Sequence, residues 1–287
     1  MSKSIRILLQ CSIPYAEDDW HVGRFSLLRD ELSKVADVVA RNLEPDRSGN
    51  DPMLSKISRS SFDELWLFGV DGGTSLLKQD CDAINAFHRE GGGLLTTRDH
   101  QDMGMWLRQI AGVGEAHFFH NPDFCEPDKT RLSPDDQETR TISWPNYHSG
   151  QNGDYQRIIP VEARHPLLLK TGSSNECIQF FPAHPHEGAV GVPQNESRAR
   201  TIARGKSRAS GREFDLVVAF ERTASAPGRA IAESSFHHFA DYNWDLSRGA
   251  PSFVTEKPGT EVAANPQRLD DVRTYVRNAV RWLAPAN

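Results

Sequence analysis

Four short stretches of this chain set imidazoles beside carboxylates: Glu17-Asp18-Asp19-Trp20-His21, Arg98-Asp99-His100-Gln101-Asp102, His184-Pro185-His186-Glu187, and His237-His238-Phe239-Ala240-Asp241-Tyr242-Asn243. Neutral imidazole nitrogen and carboxylate oxygen are natural ligands of zinc, iron and manganese. In His184-Pro185-His186 an extended backbone turns both imidazoles to one side, which is the arrangement chelation needs. The same groups can instead exchange protons with a polar substrate, because imidazole titrates near neutral pH. His100, His184, His186 and His237 are therefore candidate metal ligands, and Asp99, His100, Glu187 and His238 candidate acid–base groups. Taken singly, each has an ordinary explanation. Asp99 or Asp102 can cap a helix and gain from its dipole, and a lone histidine can simply satisfy loop hydrogen bonds. Taken together they argue for one site, since ionisable groups gather where chemistry is done.

Groups so scattered need a scaffold that returns them to one place. Ile5 to Gln10, Asp37 to Leu43, Glu64 to Phe68 and Gly93 to Thr97 read as strands. Between them, Phe25, Leu28, Leu32 and Val35 recur at helical spacing, and so do Leu76, Ile84 and Phe87 before the breaker Gly91-Gly92-Gly93. Phe214 to Phe220 and Arg229 to Phe236 are strand-like, and Pro266 to Leu283 is an amphipathic helix. Alternating strands and helices predict a three-layer, flavodoxin-like α/β fold with a mostly parallel sheet. Right-handed crossovers then leave the strand-to-helix turns on one edge, where ligands bind. Another helix is expected to start just after Asp102. Periodicity fades over about 112–212, which reads as an irregular insertion covering the carboxyl edge of the sheet. A single domain spanning 1–287 is the simplest account.

Composition narrows the classes. The 287 residues are 38% hydrophobic and 25% charged, as suits a chain with a packed core, and the net charge of -6 argues against a general nucleic-acid binder. The basic run Arg198, Arg200, Arg204, Lys206, Arg208 and Arg212 reads as a solvated loop. Cys11, Cys81, Cys125 and Cys177 form no CxxC pair, so reduced thiols in the cytoplasm are expected. No leader and no membrane span are expected. Partners reduce to a small-molecule substrate, without nucleic acid or membrane, and self-association into a homo-oligomer is compatible with the reading.

Three further signals are weaker. Gly69 to Gly73 (GVDGG) lacks the Gly-Lys-Ser/Thr ending of a phosphate loop and the GxGxxG spacing. IQFFPAHPHEG resembles the QFHPE segment of glutamine amidotransferases but lies upstream of two more strands. Trp144, Tyr147 and His148 could stack on a sugar ring, or fold as an ordinary loop.

Through ELWLFGVDGG, NAFHREGGGLLTTRDHQDMG and GRAIAESSFHHFADYN, the chain resembles the class I glutamine amidotransferase-like fold and, within it, the ThuA-like (trehalose-utilisation) group. The resemblance covers the first 110 residues or so and the last 70. It implies the fold and, faintly, a small polyhydroxylated substrate. Amidotransferases of this fold carry a Cys at the turn where this chain has Arg98-Asp99-His100, so glutamine hydrolysis is not expected. The leading expectation is a hydrolase or isomerase of a small polar, even carbohydrate-like substrate. It would use a divalent metal (Zn, Fe or Mn) or a His/Asp acid–base pair. The alternative is a non-catalytic ligand-binding or scaffold module without the nucleophile. A thiol enzyme using Cys11 or Cys125 is a third reading.

Overall fold

Strand β1 (Arg6–Cys11) is apolar and buried on both faces from Ile7 to Leu9, the mark of a strand covered by helices above and below. The computed structural model describes residues 4–131, 142, 146–162 and 164–286. After β1 come α1 (Ser26–Leu32), β2 (Asp37–Arg41), β3 (Glu64–Phe68), α2 (Lys78–Arg89) and β4 (Gly93–Thr97). The middle of the chain supplies β5 (His117–Phe118), β6 (Asn146–Tyr147), β7 (Tyr155–Arg157), β8 (Ile159–Pro160), β9 (Phe180–Pro182), β10 (Glu187–Val190) and β11 (Ala199–Lys206). The chain closes with β12 (Glu213–Phe220), β13 (Ala230–Glu233), α3 (Asp241–Trp244), α4 (Glu261–Ala264) and α5 (Leu269–Leu283).

The main sheet has eight strands in the order β2-β1-β3-β4-β13-β12-β11-β8. The pairings from β2 to β13 are parallel, and those beyond β13 are antiparallel. Renumbered along the chain, the parallel part reads 2-1-3-4-5, the flavodoxin-like order. The fold is therefore the three-layer, mostly parallel α/β architecture expected. Alternation along the strands divides the core. Ile7, Leu9, Trp66 and Phe68 pack with Leu28 and Leu32 of α1 and Val272 and Val276 of α5, whereas Leu8, Leu65, Leu67 and Leu94 pack with Ile84 and Phe87 of α2. All six apolar positions read for the last helix, from Leu269 to Leu283, are buried.

Two expectations need correction, and one open alternative is decided. The helix after Asp102 is a short 3-10 turn, Met105–Gln109; it starts from Gly104, at a left-handed φ of 67°, which passes Gly69 so closely that a Cβ on either would lie 3.0 Å from the other's Cα. The basic run is no loop over Ala199–Lys206: β11 pairs along its length with β12, and Arg204 Nε lies 3.0 Å from Asp215 Oδ1. Tyr147 and His148 are no sugar platform. Tyr147 is buried and stacked on Phe214 at 4.7 Å, and His148 Nδ1 lies 2.7 Å from the Pro185 carbonyl. Trp144 lies outside the described residues.

Candidate functional site

The turn after β4 is held open by Arg98. This fully buried guanidinium donates to the carbonyls of Asp99, Gln101 (2.7 Å), Met103 (3.2 Å) and Phe118 (3.0 Å), and it lies over the Phe119 ring at 4.4 Å. Burial presses it down to about 10, still far above neutral pH, so it stays charged. Gln101 takes a left-handed φ of 49°, a conformation non-glycine residues rarely adopt without surrounding support. The outcome is that Asp99 sits at the tip of the turn, 1% exposed, facing the carboxyl edge of the sheet.

A chain neighbour and two other segments converge on it. His100 Nδ1 lies 2.7 Å from Asp99 Oδ2, a hydrogen bond between neighbours in the chain. The segment before β10 brings His184 Nε2 to 3.5 Å and His186 Nε2 to 3.6 Å from the same oxygen, and the turn after β13 brings His237 Nε2 to 3.4 Å. Donor atoms of Asp99, His184 and His186 all lie within 4.8 Å of one another. The His184 and His237 rings stack at 3.5 Å, and Trp20 meets His237 edge-on at 4.8 Å. A cavity of about 390 Å³ opens above, lined also by Asp19, Val70, Met103, Phe236 and Phe253.

The protonation states suit a cation. Burial alone would raise the Asp99 carboxyl, but His100, hydrogen-bonded to it, outweighs that and holds it well below its ordinary range, so it is a carboxylate. Burial pushes His184 well below its ordinary value and His237 down as well, so both are neutral near pH 7. His184 Nδ1 faces Asn152 Oδ1 at 2.9 Å, and since a carbonyl oxygen only accepts, the ring proton is on Nδ1. The Nε2 lone pair then points at a carboxylate oxygen, and this buried atom has no hydrogen-bond partner. Two lone pairs facing each other in a dry site repel unless a cation lies between them. Two donors bound at about 2.0–2.1 Å to one tetrahedral ion stand about 3.3–3.4 Å apart. The separations from Asp99 Oδ2 come close to that spacing, so Asp99, His184 and His186 could hold a divalent metal, with His237 Nε2 close beside them.

Of the residues singled out from sequence, Asp99, His100, His184, His186 and His237 come together. Asp99, read as an acid–base group, stands in the donor set, whereas His100, read as a ligand, hydrogen-bonds to that donor. Glu187 and His238 lie beneath the cavity in a separate buried cluster. There His238 Nε2 is 3.3 Å from Glu187 Oε1 and its Nδ1 is 3.3 Å from Glu233 Oε2. Burial opposes charge on His238, but the two carboxylates hold it up at about 10. Asp102 instead accepts the Asn121 N–H at 2.9 Å, and His21 caps a short turn through the Gly23 N–H. Asp241 anchors the start of α1 by accepting the Leu27 N–H at 2.7 Å. In GVDGG, Asp71 Oδ2 accepts the N–H groups of Gly73, Thr74 and Ser75, so a carboxylate already fills the place a phosphate would take.

None of the four cysteines lines the cavity. Cys11 and Cys81 are buried, and burial raises both thiols; Cys125 borders a different cavity and is also raised. Nothing here activates a thiolate. Sequence reading missed Asn152, Phe253 and Glu256. The last two sit in a Pro/Gly-rich loop without periodicity, and only an aromatic stranded among polar residues marks it. Asp18 ties this loop down by accepting the Ser252 N–H at 2.7 Å.

No family model and no curated protein matches this chain. Solved structures do. A ThuA-like protein from Parabacteroides merdae is 15% identical, covering 90% of this chain and 96% of its own, with a TM-score of 0.46. The mmIFT52 N-terminal domain is 9% identical, covering 91% and 97%, with a TM-score of 0.51. The glutaminase domain of Trypanosoma brucei CTPS is 12% identical, covering 97% and 94%, with a TM-score of 0.43. These are likenesses of fold alone. A ThuA-like protein and a glutaminase domain stand among the structures the chain resembles, and its own strand order is that of a flavodoxin-like α/β protein.

Proposed function

We propose that the protein is a metal-dependent hydrolase or isomerase that binds one zinc, iron or manganese ion through Asp99, His184 and His186, with His237 as fourth donor. The observation that carries this reading is the spacing of three histidine Nε2 atoms, 3.4–3.6 Å from a single buried carboxylate oxygen. A bound ion would polarise a substrate carbonyl or acidify a water molecule. The chain's own groups do the rest. His100, hydrogen-bonded to Asp99 and bordering the cavity, is placed to move a proton to or from substrate. Trp20 and Phe236 form one apolar wall, whose low polarity strengthens charge interactions beside it. The cavity has the size of a small-molecule site. Asp19 and Glu256 on its lining suit a hydroxyl-bearing substrate, and the resemblance to the ThuA-like group extends that class to carbohydrate derivatives. Glutamine hydrolysis is outside this reading, since Asp99 stands where the nucleophile would be. The cysteine pattern favours a cytoplasmic protein; among the described residues, no helix is long and apolar enough to cross a membrane.

The test is turnover of a panel of esters, lactones and aldoses by chelator-stripped and metal-reconstituted protein. Activity should vanish on stripping and return with zinc, manganese or iron. Turnover that survives stripping would support the metal-independent acid–base version. A metal-loaded protein that binds such compounds without converting them would support the binding module.

A further inference from the structure

Glu187 and His238 are among the buried ionisable groups that the proposed chemistry leaves unused, and their contacts reach both histidine-bearing segments. Glu187 Oε1 lies 2.7 Å from Ser149 Oγ, and that hydroxyl is 2.5 Å from the His184 carbonyl while accepting the His184 N–H at 3.2 Å. Glu187 Oε2 accepts from Ser234 Oγ at 2.7 Å, at the end of β13 and three residues before His237. Oε1 also meets His238 Nε2 and the Gln156 side-chain amide. His238 is itself fixed at its backbone, where its carbonyl accepts from Trp244 Nε1 at 2.8 Å, and the His237 carbonyl accepts from Asn243 Nδ2 at 2.9 Å.

We propose that Glu187 is the positioning residue of the donor cluster, its carboxylate tying the segment that carries His184 and His186 to the segment that carries His237 through Ser149, Ser234 and His238. This inference rests on the metal reading above. One carboxyl group spans two segments that are far apart in sequence, adding side-chain ties to the backbone bond in which the Gly188 N–H donates to the Ser234 carbonyl at 3.0 Å. Successive residues of an extended chain point to opposite sides, so His186 faces the cavity while Glu187 faces the interior. Outer groups that orient metal ligands in this way typically change affinity about 10–100-fold when removed.

The experiment compares wild-type protein with Glu187→Ala, Glu187→Gln and Glu233→Gln. Zinc affinity is read by competition with a chelating dye, and coordination by the visible spectrum of the cobalt(II)-loaded protein. Glu233 serves as control, because it is as buried and touches the other nitrogen of His238 but neither Ser149 nor Ser234. The expected result is about 10–100-fold weaker zinc binding and an altered cobalt spectrum in Glu187→Ala, with partial recovery in Glu187→Gln. Glu233→Gln should stay within about threefold of wild type with an unchanged spectrum. If Glu187→Ala does not fold, Glu187→Gln and Ser234→Ala carry the comparison. Wild-type affinity and spectrum in the Glu187 variants overturn the positioning role and leave the metal reading standing. Equal weakening in Glu233→Gln also overturns it, as a general loss of stability. A wild-type protein that binds no zinc or cobalt removes the metal reading, and this role with it.

Discussion

Asp99 is useful only because Arg98 shapes the backbone beneath it. The guanidinium is fully buried and serves four carbonyls at once, those of Asp99, Gln101, Met103 and Phe118. Arg98→Met keeps much of the contact with Phe119 but removes all four of those bonds. The expected loss is about 3–5 kcal/mol of unfolding free energy, read from the denaturant midpoint. A loss under about 1 kcal/mol would mean the turn holds itself and the guanidinium is incidental. Residue types identified the cluster from sequence, but their roles depend on which way each side chain points. His186 and Glu187 are neighbours, as are His237 and His238, and in each pair one faces the cavity and the other the interior. For His186 and Glu187 the alternation of extended chain predicts opposite directions, and which of the two faces the cavity depends on β10 docking against β5 and β6, a pairing no local pattern records; His237 and His238 are turned apart by the 3-10 turn Phe236–His238.

The elements carrying Asp99 and His237 were legible because each is an apolar run bounded by turns. β3 and β4 are read with the bounds the structure gives, and α5 declares itself by one apolar face. β11 was hidden for a physical reason: the register shifts between Thr201 and Arg204, so its in–out alternation breaks where arginines interrupt it. The short strands of the middle region, two or three residues long in β5 to β9, leave no periodicity to read. β3 also holds a local conflict, a glutamate at a fully buried position. Burial raises the Glu64 carboxyl well above its ordinary range, while Trp66 Nε1 donates to Oε2 at 2.9 Å and Oε1 has no partner. The folded pKa exceeds the unfolded value of about 4.3, so the native state holds a proton that the unfolded chain releases. The stability tied to Glu64 is therefore complete below about pH 4 and drains away as pH rises. Glu64→Gln keeps the acceptor for Trp66 and removes the penalty. Relative to wild type, it should gain at least about 1 kcal/mol more at pH 8 than at pH 4, read from thermal unfolding at both. Any packing cost cancels in that difference. Equal effects at the two pH values would show that Glu64 is not held protonated.

At the scale of the whole molecule, a flavodoxin-like sheet carries the loops of two parallel strands, and a set of short strands beyond the reach of periodicity supplies the remaining histidines. The site exists only when these parts are folded together, which is why none of its segments is a motif alone. Folding should thus bring metal affinity with it, since no preformed site survives in the unfolded chain. The most direct test is a crystal of zinc- or manganese-soaked protein, with diffraction data collected across the metal's absorption edge. One anomalous peak about 2.0–2.2 Å from Asp99 Oδ2, His184 Nε2 and His186 Nε2, lost in the His184→Ala, His186→Ala double variant, is the predicted result. Crystals that show those side chains in place, with water or nothing between them at saturating metal, would contradict it.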